Sequence, residues 1–325
     1  MPAPRLGLDV FSLRSQGFSA FDHLDFAARH GIEVVHFSEP RLLGGLDGAH
    51  LQRVRARAGE LGIQLEIGML SICPGSSIFD PSAGTPEAQL IRTIDAAVAA
   101  GSPIVRCVVG RFVDRVDRTT GGGIAARIAE AVDVLKSVRS RTLDAGLKIA
   151  VENHAGDMQA RELVQLIEAA GPDYVGACID AGNALWAMED PHLTLATLAP
   201  YVLTSHIRDS AVRRTSTGAE VAWTRMGEGN VRIEEYLRTF VERCPDAPVT
   251  LEVIVLPAPR PLPFRDPSFW EGYRTTPAWE FQRFLDLVDT GRPVPLPSGE
   301  VAAAAELAHV EASLQWTKDF FRRTA

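Results

Sequence analysis

Apolar residues fall along this chain in two alternating rhythms. Short, nearly unbroken apolar runs of four to seven residues recur at 6–11, 34–37, 64–68, 104–109, 148–152, 174–180, 202–206 and 249–254. Between them lie longer stretches in which apolar positions return every three or four residues, among them 20–30, 49–61, 86–100, 124–145, 160–170 and 233–244. A glycine follows several of these stretches (Gly31, Gly62, Gly101, Gly146, Gly171), as helix C-termini require. Runs that are apolar on both faces read as parallel strands packed between helices. Eight such alternations predict an α/β fold, a closed (β/α)8 TIM barrel over residues 1–256. Residues 257–325 are expected to complete the same domain as a C-terminal extension. It consists of a proline- and aromatic-rich loop at 257–277 and two helices at 279–288 and 301–321.

Four of the later runs end in a residue that ligates metals. Glu152 closes Ile149-Ala150-Val151, Asp180 closes Val175-Gly176-Ala177-Cys178-Ile179, His206 closes Val202-Leu203-Thr204-Ser205, and Glu252 follows Val249-Thr250-Leu251. Parallel strands present their C-terminal ends on one side of a barrel, so these side chains converge. Buried charge is costly unless it is compensated, and three carboxylates with one imidazole describe a divalent-metal site. Oxygen-rich ligation favours Mn²⁺ or Mg²⁺ over a thiolate-rich zinc site, with Co²⁺ also compatible.

Composition narrows the functions this site can serve. The 325 residues are 46% hydrophobic and 23% charged, an ordinary globular balance with ample material for a large core. A net charge of -8 and the absence of a basic cluster argue against a nucleic-acid partner. No stretch of about 18 apolar residues occurs, so no membrane span is expected. Met1-Pro2-Ala3-Pro4-Arg5 carries no apolar targeting run, and the widely spaced Cys73, Cys107, Cys178 and Cys244 form no Cys-x-x-Cys pair. Free thiols in a reducing, cytoplasmic compartment are expected. The last helix is longer than a barrel helix needs and offers a docking surface for a homo-oligomer.

The phrases Val151-Glu152-Asn153-His154, Cys178-Ile179-Asp180-Ala181-Gly182-Asn183, Ser205-His206-Ile207-Arg208-Asp209, Gly227-Glu228-Gly229-Asn230 and Leu251-Glu252-Val253, in this order, resemble the xylose-isomerase-like TIM-barrel superfamily. That superfamily includes sugar isomerases and epimerases, hydroxypyruvate isomerase, inosose dehydratase and endonuclease IV. The resemblance covers nearly the whole chain. It implies a small carbohydrate substrate and a metal held by Glu152, Asp180, His206 and Glu252. In the ketose epimerases of the superfamily, the matches to Glu152 and Glu252 also exchange protons with the substrate. A cation so held binds two neighbouring substrate oxygens, stabilises an enediolate and makes the adjacent C–H bond acidic.

Two positions depart from those epimerases, which place a histidine where this chain has Asn183 and a glutamate where it has Met158. The pocket is therefore lined differently. His154, two residues beyond Glu152, points the same way on an extended backbone, as a catalytic acid or base or as a cap of the next helix. Arg106, inside an apolar strand, needs an anion: a substrate carboxylate or phosphate, or, slightly preferred, an internal partner such as Glu66. Arg208 shares the direction of His206 and suits a substrate oxygen; Asp209 suits the orienting of a neighbour. Glu39, at the end of the second strand, and Trp270, in the loop leaving the strand of Glu252, are further substrate-binding candidates. That loop reads equally as a pocket wall, here or in a neighbouring subunit, and as a surface wrap. Gly121-Gly122-Gly123 lacks the lysine and serine of a phosphate loop. Arg115, Asp117 and Arg118 read as solvated charges.

These residues predict a metal-dependent isomerase or epimerase of a small keto sugar, with Glu152 and Glu252 on opposite sides of the substrate. A lyase is the alternative: a decarboxylase of a 3-oxo sugar acid, or an eliminase acting on a 3-oxo glycoside, with His154 as proton donor. An endonuclease IV-like repair enzyme is remote, since its additional metal ligands and basic rim are missing.

Overall fold

The computed structural model of the chain describes residues 4–116, 121–256, 258–295 and 303–324. Asp117, Arg118, Pro257 and the start of the last predicted helix lie outside them. The strands are β1 (Leu6–Asp9), β2 (Val34–Phe37), β3 (Gln64–Ser71), β4 (Ile104–Val108), β5 (Lys148–Glu152), β6 (Val175–Asp180), β7 (Val202–His206), β8 (Asp209–Arg214), β9 (Ala219–Thr224), β10 (Val249–Leu251) and β11 (Arg260–Leu262). Eight of them form one parallel sheet in the order β10-β1-β2-β3-β4-β5-β6-β7. Ile207, just past β7, bridges Leu251 of β10. Its amide donates to the Thr250 carbonyl at 2.7 Å and its carbonyl accepts from Glu252 at 3.0 Å, which joins the sheet's two edges. The predicted barrel is present.

The helical layer comprises α1 (Ala20–Arg29), α2 (Gly48–Leu61), α3 (Pro86–Ala100), α4 (Phe112–Val116), α5 (Gly123–Ser137), α6 (Arg139–Asp144), α7 (Ala160–Ala170), α8 (Ala181–Trp186), α9 (Pro191–Leu198), α10 (Ile233–Arg243), α11 (Ala278–Thr290) and α12 (Ala303–Thr324). Strand residues are buried on both faces, as in Val34-Val35-His36-Phe37, because helices cover the outside and side chains fill the inside. The single helix expected at 124–145 is broken at Val138, whose amide turns back to the Leu135 carbonyl. No glycine or proline marks that break. The apolar stripe of α12 (Val310, Leu314, Phe320) is buried, and Glu306 accepts from the amide and hydroxyl of Ser15. The last helix thus packs on its own barrel.

One unit was not predicted. Strands β8 and β9 form an antiparallel hairpin between β7 and α10, and β11 adds to β9. Arg115 also departs from expectation. It is buried, paired with Glu162 through two hydrogen bonds of 2.6 and 2.9 Å, and lies 4.3 Å below the centroid of Tyr273. The loop through 267–273 therefore rests on a charge that the sequence placed in solvent.

Candidate metal centre and cavity

Strand register sets the heights of the four candidate ligands. Glu152 pairs across β5 and β6 with Cys178, and Asp180 is level with His206. One donor atom each from Glu152, Asp180, His206 and Glu252 lies within 4.8 Å of the others, and all four residues are buried. Asp180 begins α8 as its N-cap, accepting from the amides of Gly182 and Asn183 at 2.7 and 2.8 Å through Oδ1. A cap fixed in this way leaves Oδ2 on the cluster side, where Arg208 Nη2 contacts it. Asn153 clamps the same strand end, donating to the Asp180 carbonyl and accepting from its amide, both at 2.8 Å.

His206 sits between two sets of partners. Its Nε2 lies 3.1 Å from His36 Nδ1 and 3.4 Å from Asp9. Its Nδ1 lies 3.0 Å from Glu152 and 3.5 Å from Glu252, without a well-aligned hydrogen bond. Burial drives His36 well below its ordinary value and favours its neutral form. Burial raises the Asp180 carboxyl against the pull of Arg208. Burial would also raise Glu152, but Arg106 and then His206 outweigh it and hold that carboxyl well below the usual range. Cys178 Sγ also approaches Glu152, at 3.9 Å, and forms a smaller candidate group with Glu152 and His206. Three carboxylates and an imidazole nitrogen within one ion's reach fit a hard divalent cation.

Above the cluster opens a cavity whose wall includes Glu39, Arg106, His154, Asn183, Arg208 and Glu252. Six residues singled out from the sequence are thus brought to one place. Glu152 is not on that wall: Arg106 takes its Oε2 at 2.6 Å and Asn183 reaches its Oε1 at 3.1 Å. Arg106 therefore has an internal partner, but it is Glu152; Glu66 accepts instead from the Thr204 hydroxyl at 2.6 Å. Glu39 pairs with Arg41 at 2.5 Å. Trp270 is not brought to the cavity. Its indole N–H donates to the Phe264 carbonyl at 2.7 Å and its ring packs edge-on against Phe281, which ties the loop down.

His154 does not cap α7, whose N-terminus is closed by Gln159 and Glu162. Its Nδ1 faces the Gly110 carbonyl at 2.7 Å, and its amide donates to Asp157 at 2.9 Å. A carbonyl can only accept, so Nδ1 carries the proton and Nε2 is left with its lone pair. Burial lowers the imidazole below its ordinary value. Asp209 accepts from the amides of Gly227 and Gly229, both at 2.9 Å, and so holds the Gly227–Asn230 turn.

Sequence reasoning missed several neighbours of the site. Asp9 ends β1 as Glu152 ends β5, a signal that was there to be read. Trp223 gave none, since the hairpin carrying it was not foreseen. Its ring lies on the cavity wall and stacks under Arg208, whose guanidinium carbon is 4.1 Å from the ring centroid.

Comparison with known proteins agrees with this architecture. Residues 24–267 match the model of the xylose isomerase-like TIM barrel family, and the chain belongs to that family. A 3-oxo-isoapionate decarboxylase of Pectobacterium atrosepticum is 24% identical over 191 residues, 59% of this chain and 61% of that protein. The chain thus spans about three-fifths of that relative's length. A D-psicose 3-epimerase solved in the presence of D-fructose superposes with a TM-score of 0.64 at 14% identity, covering 98% of this chain and 99% of the other. A family member from Mycobacterium smegmatis in complex with magnesium superposes at 0.58 and 16%, covering 88% and 98%.

Proposed function

We propose that this chain is a divalent-metal-dependent enzyme that moves a proton on a small keto sugar or sugar derivative, an isomerase or epimerase in reaction type. Glu152, Asp180, His206 and Glu252 would hold the metal. When bound, the ion supplies Lewis acidity that stabilises negative charge developing on neighbouring substrate oxygens. The observation that carries the reading is that Glu252 and His154 share the cavity wall beside the ligand cluster.

The division of labour differs from the one the resemblance implies. Glu152 is enclosed by Arg106 and Asn183 and kept ionised, so its role is to hold charge rather than to exchange protons. His154 is neutral near pH 7, with a bare Nε2, and accepts the proton as general base. Glu252 is the second proton-handling group on the wall. Asn183 keeps Oδ1 without a partner and orients a substrate hydroxyl.

Decarboxylation of a 3-oxo sugar acid is the second reading, favoured by the curated decarboxylase relative. Incubation of the Mn²⁺-loaded protein with keto sugars and keto sugar acids in D₂O separates the two. Isomerisation or epimerisation places one deuteron on a sugar carbon without loss of carbon, whereas decarboxylation releases CO₂. Metal-loaded protein that does neither across such a panel would overturn both.

A further inference from the structure

Two arginines reach the cavity wall, and their hydrogen bonds distinguish them. Every guanidinium nitrogen of Arg106 is engaged: Nε and Nη2 on Glu152 at 2.6 and 2.5 Å, Nη1 on the Met69 carbonyl at 3.2 Å. Arg208 contacts Asp180 and Glu252 through Nη2 alone. Its Nε and Nη1 are buried and have no acceptor among the described residues, although the residue is only 2% exposed. Charged donors left buried and unpaired are costly, so such donors on a residue of the cavity wall point to an anionic ligand.

The guanidinium plane is fixed from outside the site. Arg208 lies on Trp223, Trp223 stacks on Trp186 at 4.3 Å with planes 2° apart, and Arg260 covers the far face of Trp186 at 4.3 Å. Gly182 lets the Arg208 stem pass, since a Cβ there would meet its Cγ and Cδ at 2.5 Å. Stacked cations and rings hold orientation while leaving the N–H groups at the edge free.

Charge bears on which anion fits. With Asp9 beside His206, four buried carboxylates stand against two guanidiniums, and a divalent cation brings the set to neutrality. A carboxylate then adds one negative charge and a phosphate dianion two, so the smaller charge is favoured. The unpartnered Asn183 Oδ1 on the same wall asks for a hydroxyl beside that carboxylate.

We propose that the substrate is a keto sugar bearing a carboxylate, received by Arg208 through one of its two free donors, which face different edges of the guanidinium, and that the Trp223–Trp186–Arg260 stack positions this guanidinium. The proposal rests on the keto-sugar reading of the cavity and narrows its substrate class. Calorimetric titration of the Mg²⁺-loaded protein with 2-oxogluconate and with fructose, which share a skeleton and differ in the carboxylate, tests it, with metal content measured in each sample. The acid is expected to bind at least tenfold more tightly. That ratio should collapse in Arg208→Gln and shrink severalfold in Trp223→Leu, the latter with metal content unchanged. Equal affinities, a ratio preserved in both variants, or tighter binding of fructose 6-phosphate than of the acid would overturn it. Equal affinities together with solvent deuterium entering fructose would leave the keto-sugar reading standing, whereas failure to bind any probe would remove both.

Discussion

Arg106, on the cavity wall, forms a buried pair with Glu152 behind it, Nε and Nη2 of the arginine lying 2.6 and 2.5 Å from one carboxylate oxygen. Removing the arginine leaves that charge uncompensated, which typically costs about 3–5 kcal/mol. Arg106→Met should therefore lower the melting temperature of the metal-free protein, and added Mn²⁺ should restore more of it than in the wild type, because the ion takes over the compensation. Equal gains in the two proteins would place Glu152 outside the metal's reach.

His154 carries the proposed base. His154→Ala should lower kcat by roughly 10²- to 10⁴-fold, the usual worth of one acid–base group, with metal content unchanged. Burial lowers the imidazole below its ordinary value, and a base works only unprotonated. Activity should thus persist as pH falls through 6.5 and fail only at more acidic pH. Near-wild-type turnover in the variant would strike His154 from the mechanism.

Trp270 anchors its loop and does not line the cavity. Trp270→Ala should cost about 2 kcal/mol, below the roughly 3–5 kcal/mol of a fully buried large aromatic because the side chain is only half-buried, and leave KM unchanged. A raised KM at unchanged stability would return the loop to the pocket.

Glu189 gives a pH dependence away from the site. It is buried, accepts from the Ala160 amide with both oxygens at 3.1 Å and from the Thr194 hydroxyl at 2.6 Å. Burial, against those hydrogen bonds, raises it to about 7 from 4.5. Between these values the folded chain holds a proton that the unfolded chain has lost, so stability falls as pH rises through the window, by about 3 kcal/mol in total. Urea midpoints at pH 5 and pH 8 should differ less in Glu189→Gln than in the wild type; the same difference in both proteins would refute the assignment.

The convergence of the four strand-end residues was legible because parallel strands carry their own signature, apolar on both faces, and because a charge at the end of such a run has one direction to face. Arg106 was recognisable as needing an anion, but which anion depends on the distance across the barrel, and Glu66 and Glu152 look alike from the sequence. Trp223 and the stack beneath Arg208 were invisible. They belong to a hairpin whose short apolar alternation is broken by Arg213, Arg214 and Glu220, and stacking brings together residues 186, 208, 223 and 260, which no local spacing relates. Arg115 was misjudged for a similar reason: its partner Glu162 lies 47 positions away.

The central claim is that Glu152, Asp180, His206 and Glu252 hold one divalent ion. Titrating chelator-treated protein with Mn²⁺ in a calorimeter tests it most directly, with Asp180→Asn and His206→Ala measured alongside. Asp180→Asn keeps the oxygen that caps α8 and loses only charge, so a loss of affinity in that variant cannot be ascribed to unfolding of the helix start. The account predicts one ion per wild-type chain and at least tenfold weaker binding in each variant; wild-type protein that binds no ion, or variants that bind it as tightly, would contradict it.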